Sequence, residues 1–170
     1  MSHKNPRKAI IFVNGELSNP EKLRPYIQSA DWIICANGGT RHAITLGVTP
    51  NIIVGDLDSL SPDLYRRLKT AGVQFETHPA DKDQTDLELA LQVAIHHGIE
   101  AIDLIAVMGG RVDQSLANLM LLARPEWASV QIRAITENEV IYPIRGESTV
   151  TLKGSIDDTL SLVPLAAQIS

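Results

Sequence analysis

The chain has 170 residues, 44% of them hydrophobic and 21% charged, a composition that excludes a disordered or low-complexity polymer and fits one domain of ordinary size, or one domain and part of another. Its formal net charge is −5 with dispersed basic residues, which disfavours a nucleic-acid or acidic-membrane surface. The single cysteine, Cys35, lies in an apolar run as a buried inert thiol would, no stretch reaches membrane-spanning length, and Met1–Lys8 lacks the apolar core of a signal peptide, so a soluble cytoplasmic protein is expected.

Residues 9–13, Ala-Ile-Ile-Phe-Val, read as a first strand closed by an Asn14-Gly15 turn. A helix from Glu21 to about Ser29 follows, with Pro25 awkwardly placed in it. Residues 32–36, Trp-Ile-Ile-Cys-Ala, form a second strand that runs into Asn37-Gly38-Gly39. Two glycines after a strand let backbone approach a ligand and open a helix N-terminus toward anions. They serve equally as a tight turn with no ligand. Residues 40–46 give that helix, stopped by Gly47.

The most informative stretch is 51–59, Asn-Ile-Ile-Val-Gly-Asp-Leu-Asp-Ser. A β-branched run ending in glycine reads as a buried parallel strand, whose carboxyl end is where open α/β sheets bind ligands. Asp56 and Asp58, if extended, point the same way, and a hard divalent cation such as Mg²⁺ bridging to phosphate relieves their repulsion. A plain Gly-Asp turn is the competing reading. Ser61 and Pro62 start a helix to about Ala71, and residues 73–77 alternate as a strand. Then comes Asp81-Lys-Asp-Gln-Thr-Asp86, three aspartates in six residues, leading into an amphipathic helix that ends near Gly98. Thr85 and Glu88 fit a capping box, which accounts for Thr85 but not for the cluster of acids.

Residues 102–108 form another strand, ending in Gly109-Gly110. Arg111 and Asp113 follow, then a helix from Gln114 to about Ala123 and a strand at 130–134. Arg111 and a backbone nest can hold phosphate together, or Arg111 can simply pair with Asp113. Past residue 137 the pattern changes to short strands at 139–142, 148–152 and 159–163 with no helix between them, as in antiparallel β structure. The expected fold is therefore α/β: a mainly parallel, doubly wound, Rossmann-like sheet at 1–137, then the start of an antiparallel β-sandwich at 138–170. Converging βα junctions that carry acids, glycine nests and an arginine suit phosphoryl or pyrophosphoryl transfer from a Mg²⁺-bound nucleotide. P-loop, Gly-x-Gly-x-x-Gly and Gly-x-Ser-x-Gly signatures are all missing.

Three motifs carry a family likeness: Gly55-Asp-Leu-Asp-Ser59, Asp81-Lys-Asp-Gln-Thr-Asp86 and Gly109-Gly-Arg-Val-Asp-Gln-Ser-Leu-Ala-Asn118. In this order and spacing they resemble thiamine pyrophosphokinase, over roughly residues 9–165. The resemblance implies transfer of the pyrophosphoryl group of ATP to the hydroxyethyl oxygen of thiamine, giving thiamine diphosphate and AMP. It also implies an α/β catalytic domain, a C-terminal β-sandwich, and a homodimer with thiamine bound where domains of different subunits meet. Carried over by position, Asp56, Asp58, Asp83 and Asp86 are the expected catalytic acids and Mg²⁺ ligands. Asn37, Gly38, Gly39, Asp81, Thr85, Gly109, Gly110, Arg111 and Asp113 fall on expected ATP-binding positions. Asn37 stands where the family commonly has Asp, and Gln114 where His is common. Ser161-Leu-Val-Pro-Leu165 resembles the middle of the family's β domain, so only its first part is expected here. The alternatives are a pyrophosphokinase acting on another alcohol such as a hydroxymethylpterin, and a nucleotide-binding module without catalysis.

Overall fold

The apolar runs become the strands of one sheet in a computed structural model that describes residues 6–79, 81 and 83–165. The strands are β1 (Lys8–Phe12), β2 (Trp32–Ala36), β3 (Ile52–Gly55), β4 (Gln74–Thr77), β5 (Ala101–Ile105), β6 (Gln131–Ile135) and β7 (Val140–Ile141). Between them lie α1 (Arg24–Gln28), α2 (Thr40–Thr45), α3 (Pro62–Thr70), α4 (Asp86–His96) and α5 (Val112–Leu122). The order across the seven-stranded sheet is β4-β3-β2-β1-β5-β6-β7. All pairings are parallel except β6 with β7. After β1 the chain winds outward through β2, β3 and β4, then returns to lay β5 on the other side of β1. The junctions after β1 and β5 therefore diverge, which opens a crevice at the carboxyl ends of these strands.

Continuous rather than alternating hydrophobicity in β1, β2, β3 and β5 follows from burial on both faces. On one face Ala9, Ile11, Ile34, Val54 and Leu104 pack with Leu87, Ala90, Leu91 and Ala94 of α4. On the other, Ile10, Phe12, Cys35, Ile53 and Ile105 pack with Leu23, Ile27, Ala43 and Leu68. Each large side chain removed from water contributes about 1.5–3 kcal/mol. Burial pushes the Cys35 thiol up to about 12, so it remains a protonated, inert core residue. One carboxylate interrupts the apolar face. Asp103 is 2% exposed and is held by Lys8 Nζ at 2.7 Å and by Arg133 Nε and Nη2 at 2.5 and 3.0 Å. Such a group tolerates burial only when paired and hydrogen-bonded in this way.

Several elements differ from the sequence reading. The helix expected at 21–29 divides at Pro25 into a 3₁₀ turn at Pro20–Leu23 and the short α1, because proline fits the first turn of a helix and not its interior. The strand expected at 102–108 stops at Ile105, since Ala106 turns left-handed with φ +59°. The released carbonyls of Ala106 and Met108 accept from Gly15 N and Glu16 N instead. Helix α5 opens at Val112 rather than Gln114. Thr85 caps α4 as expected, accepting from Glu88 N at 3.2 Å, but the Glu88 carboxylate accepts from Arg124 at 3.0 Å.

Of the three late strands expected, only Val140–Ile141 forms, and it extends the α/β sheet by pairing with β6. Residues 148–152 and 159–163 carry no strand, and Leu160, Leu162 and Val163 are more than two-thirds exposed. A single extended segment cannot offset its ordering entropy without a partner row of donors and acceptors. Among the described residues these segments find none.

Candidate active site

Strand β3 ends at Gly55 with φ +144°. A Cβ added there would stand 2.8 Å from Asn37 Cβ and 3.2 Å from Asp86 Oδ1. The ends of β2 and β3 and the start of α4 thus converge over one glycine. Asn37 opens the turn Asn37–Gly39 in the left-handed region, φ +42°, which Asn tolerates better than most residues. Its Nδ2 donates to Asp56 Oδ1 at 2.7 Å and to Asp58 Oδ1 at 3.3 Å. Its Oδ1 accepts from Ser59 Oγ at 2.9 Å, which fixes the orientation of the amide. Asp58 N also donates to Asp56 Oδ1 at 3.2 Å.

The two aspartates do share one direction, but strand alternation is not the reason. Leu57 between them is left-handed, φ +63°, so the segment is a turn closed on its own first carboxylate. Leu57 is partly buried against the core formed by Ile10, Phe12, Cys35 and Ile53, and that packing holds a bulky residue in a conformation it would otherwise avoid.

The next junctions are fastened through residues 14–16. Gly15 N donates to Ala106 O at 2.7 Å and Glu16 N to Met108 O at 2.8 Å. A Cβ on Gly15 would lie 2.1 Å from Met108 O, so only glycine permits this approach. From the other side, Arg41 Nη2 donates to the carbonyls of Asn14 and Gly15 at 3.1 and 2.7 Å. His42 Nε2 reaches Gly15 O at 2.8 Å, which requires the tautomer protonated at Nε2. Burial, with help from Arg41 and against the Gly15 hydrogen bond, pushes His42 below the usual imidazole range. The Asn14 amide lies against Gly38, and the Glu16 side chain lies against Gly109. One short loop therefore touches both glycine pairs.

Gly109 and Gly110 adopt φ +100° and +69°. Gly109 N donates to Ser115 Oγ at 3.2 Å, and Asn118 Nδ2 donates to Val107 O at 2.8 Å, so α5 secures this turn from behind. Arg111 folds onto Asp113 through Nε at 3.1 Å and Nη2 at 2.5 Å. Both side chains are about two-thirds exposed. The pairing holds the Asp113 carboxyl below its usual range. A cavity of about 320 Å³ opens beside Gly109, lined by Glu16, Leu17, Met108, Glu137 and Asn138 among others.

Asn37, Asp56, Asp58 and Asp86 are thus gathered, while Asp81 and Asp83 lie exposed on the loop before α4. Lys82 of that motif is outside the described residues. Among the described residues no three His, Cys, Asp or Glu side chains come close enough together to hold one metal ion. Sequence reasoning missed Asn14, Glu16, Ser59, Ser115 and Asn118. Ser115 and Asn118 sit inside the last motif and were legible there. Asn14 gave only a turn signal and Glu16 none, because their importance arises from β5 returning beside β1.

Comparison with known proteins identifies the family and the fold. The family described as thiamin pyrophosphokinase, catalytic domain, matches residues 23–134. A thiamine pyrophosphokinase from Bacillus subtilis is 31% identical over 133 residues, covering 76% of this chain and 62% of its own length. A thiamin pyrophosphokinase family protein from Enterococcus faecalis superposes with a TM-score of 0.65 at 29% identity, over 80% of this chain and 64% of that one. Thiamin pyrophosphokinase from Candida albicans gives a TM-score of 0.69 at 19% identity, over 81% of this chain and 60% of that one, a likeness of fold. The chain spans about three-fifths of the length of such relatives. With two-thirds of its residues matched by that family, the chain belongs to the thiamin pyrophosphokinase catalytic-domain family.

Proposed function

We propose that the chain transfers the pyrophosphoryl group of ATP to the hydroxyl of thiamine, giving thiamine diphosphate and AMP. The observation that carries this reading is the convergence of Asn37, Asp56, Asp58 and Asp86 over Gly55 in a chain matched by the catalytic domain. The thiamine oxygen attacks the β-phosphorus, the bond from that phosphorus to the α,β-bridging oxygen breaks, and AMP leaves with the electron pair. The hydroxyl proton passes to one of the site's carboxylates.

The candidate ligand oxygens around Gly55 are carboxylate oxygens with no thiolate or imidazole among them, a hard set that suits a divalent cation of the Mg²⁺ kind. Asp56, Asp58, Asp83 and Asp86 would hold Mg²⁺, which neutralises phosphate charge when bound. Gly38, Gly39, Gly109 and Gly110 let backbone approach the nucleotide. Arg111 exchanges Asp113 for a phosphate oxygen, keeping a bidentate anion partner. Asp81 and Thr85 border the same nucleotide. The segment after residue 138 contributes, as part of a β-sandwich, to the thiamine site of a cytoplasmic homodimer, and the sheet is doubly wound in the Rossmann manner.

The test is Asp56→Asn. The amide oxygen can still accept from Asn37, so the fold should persist, with turnover down by about 10²–10³. Unchanged turnover would remove Asp56 from the site. Acceptor competition between thiamine and a hydroxymethylpterin identifies the alcohol used.

A further inference from the structure

The side chain at position 37 does more than line the site. Both amide hydrogens of Asn37 are given to carboxylates, at 2.7 Å to Asp56 and 3.3 Å to Asp58, and the amide oxygen is taken by Ser59. Turning the amide over would set its oxygen against two carboxylates, so the network admits one orientation. Two like charges held this close ordinarily call for a cation. Here a neutral donor fixed by a left-handed backbone does part of that work, through hydrogen bonds to one oxygen of each carboxylate.

We propose that Asn37 is a positioning residue that pre-organises Asp56 and Asp58 without metal, so that the divalent cation enters as its nucleotide complex and not as the free ion. This rests on the metal–nucleotide reading above and deepens it. A free cation meets two carboxylates already engaged by an amide, and among the described residues no three acidic side chains, Asp86 included, stand close enough together to hold one ion. Affinity of a hard-cation site rises with the number of charged ligands and their availability. A nucleotide brings phosphate oxygens that supply the remaining ligands and charge. Aspartate at 37 would reverse the balance, since three carboxylates would repel one another until a cation arrived.

Mn²⁺ serves as the probe, followed by calorimetry and by its paramagnetic resonance signal, on the full chain and on Asn37→Asp and Asn37→Gly. Glycine keeps the left-handed backbone and removes the amide without adding charge. The wild-type chain should bind free Mn²⁺ at least about tenfold more weakly than Asn37→Asp, yet take up Mn²⁺ readily with ATP present. Metal-free Asn37→Asp should melt below wild type and recover on adding Mn²⁺. Asn37→Gly should melt lower without such recovery, which separates the amide's positioning from charge count. Free Mn²⁺ binding to wild type as tightly as to Asn37→Asp would overturn the proposal while leaving the metal–nucleotide site intact. Failure of every protein to bind Mn²⁺ with ATP would refute the metal–nucleotide reading and this inference with it.

Discussion

Gly39, like Gly15, should be among the least replaceable glycines in the molecule, for a reason unrelated to backbone dihedrals. Its φ is −59°, a value open to any residue, yet a Cβ there would stand 2.1 Å from Phe12 O and 2.6 Å from the Phe12 carbonyl carbon. The obstacle is main chain of the central strand, which cannot swing aside as a side-chain end can. Overpacking of this kind costs about 1–3 kcal/mol, and an immovable neighbour points to the upper end. At ~3 kcal/mol, Gly39→Ala would lower Tm by about 6–12 °C in a chain of this size. Gly47 is the control: its φ is +68° and nothing lies within 4 Å of its Cβ position, so Gly47→Ala costs only the left-handed penalty of about 1 kcal/mol. Asparagine should recover part of the loss at 47 and none at 39. Urea titration followed by circular dichroism measures all four variants. Gly39→Ala within ~0.5 kcal/mol of wild type, a change typical of an indifferent surface site, would refute the close-approach reasoning. The same shift should misplace Asn37, two residues upstream, and weaken nucleotide binding.

Three further outcomes are expected. Glu137 accepts from Ser18 N and Asn19 N at 2.6 and 2.8 Å, and the Asn19 bond foremost lowers its pKa. The resulting stability is present above the unfolded carboxyl value of about 4.3 and lost as pH falls through the folded value. Glu137→Gln should therefore be less stable at pH 7, by about 1 kcal/mol given its partial exposure, and show a flatter acid limb in pH-dependent melting; parallel limbs would contradict this. His42 titrates with a depressed pKa, so the fold favours its neutral form, and stability falls as pH drops below about 6.5 toward the folded value. Melting curves of His42→Gln should lose that slope, and an unchanged slope would assign it elsewhere. Asp103→Asn leaves Lys8 and Arg133 facing a neutral, buried amide and should cost about 3 kcal/mol by denaturant titration; a loss under ~1 kcal/mol, the value of an exposed pair, would mean the bridge is solvated.

The central strands were legible because burial on both faces leaves an unbroken apolar run, as Ile52-Ile53-Val54 and Ile33-Ile34-Cys35 show. Helix starts with a chemical cap were legible too, as at Ser61, which accepts from Leu64 N at 3.3 Å. Strand ends were not. Ala106 and Leu57 turn left-handed because of partners far along the chain or packing beneath them, and neither residue type signals that conformation. In the site, the acids announced themselves by mutual repulsion, whereas Asn37 looked like a diminished aspartate until its two donated hydrogen bonds were visible. Arg111 had two readings, and in the structure it pairs with Asp113. The late segments at 148–152 and 159–163 have the alternation of strands, but alternation specifies a face and not a partner.

The most direct measurement is product analysis with the purified chain, ATP, Mg²⁺ and thiamine, against a reaction without thiamine. AMP formed only with thiamine, and in step with thiamine diphosphate, is the expected result for pyrophosphoryl transfer. ADP as the nucleotide product, or no AMP while ATP remains bound, would contradict it.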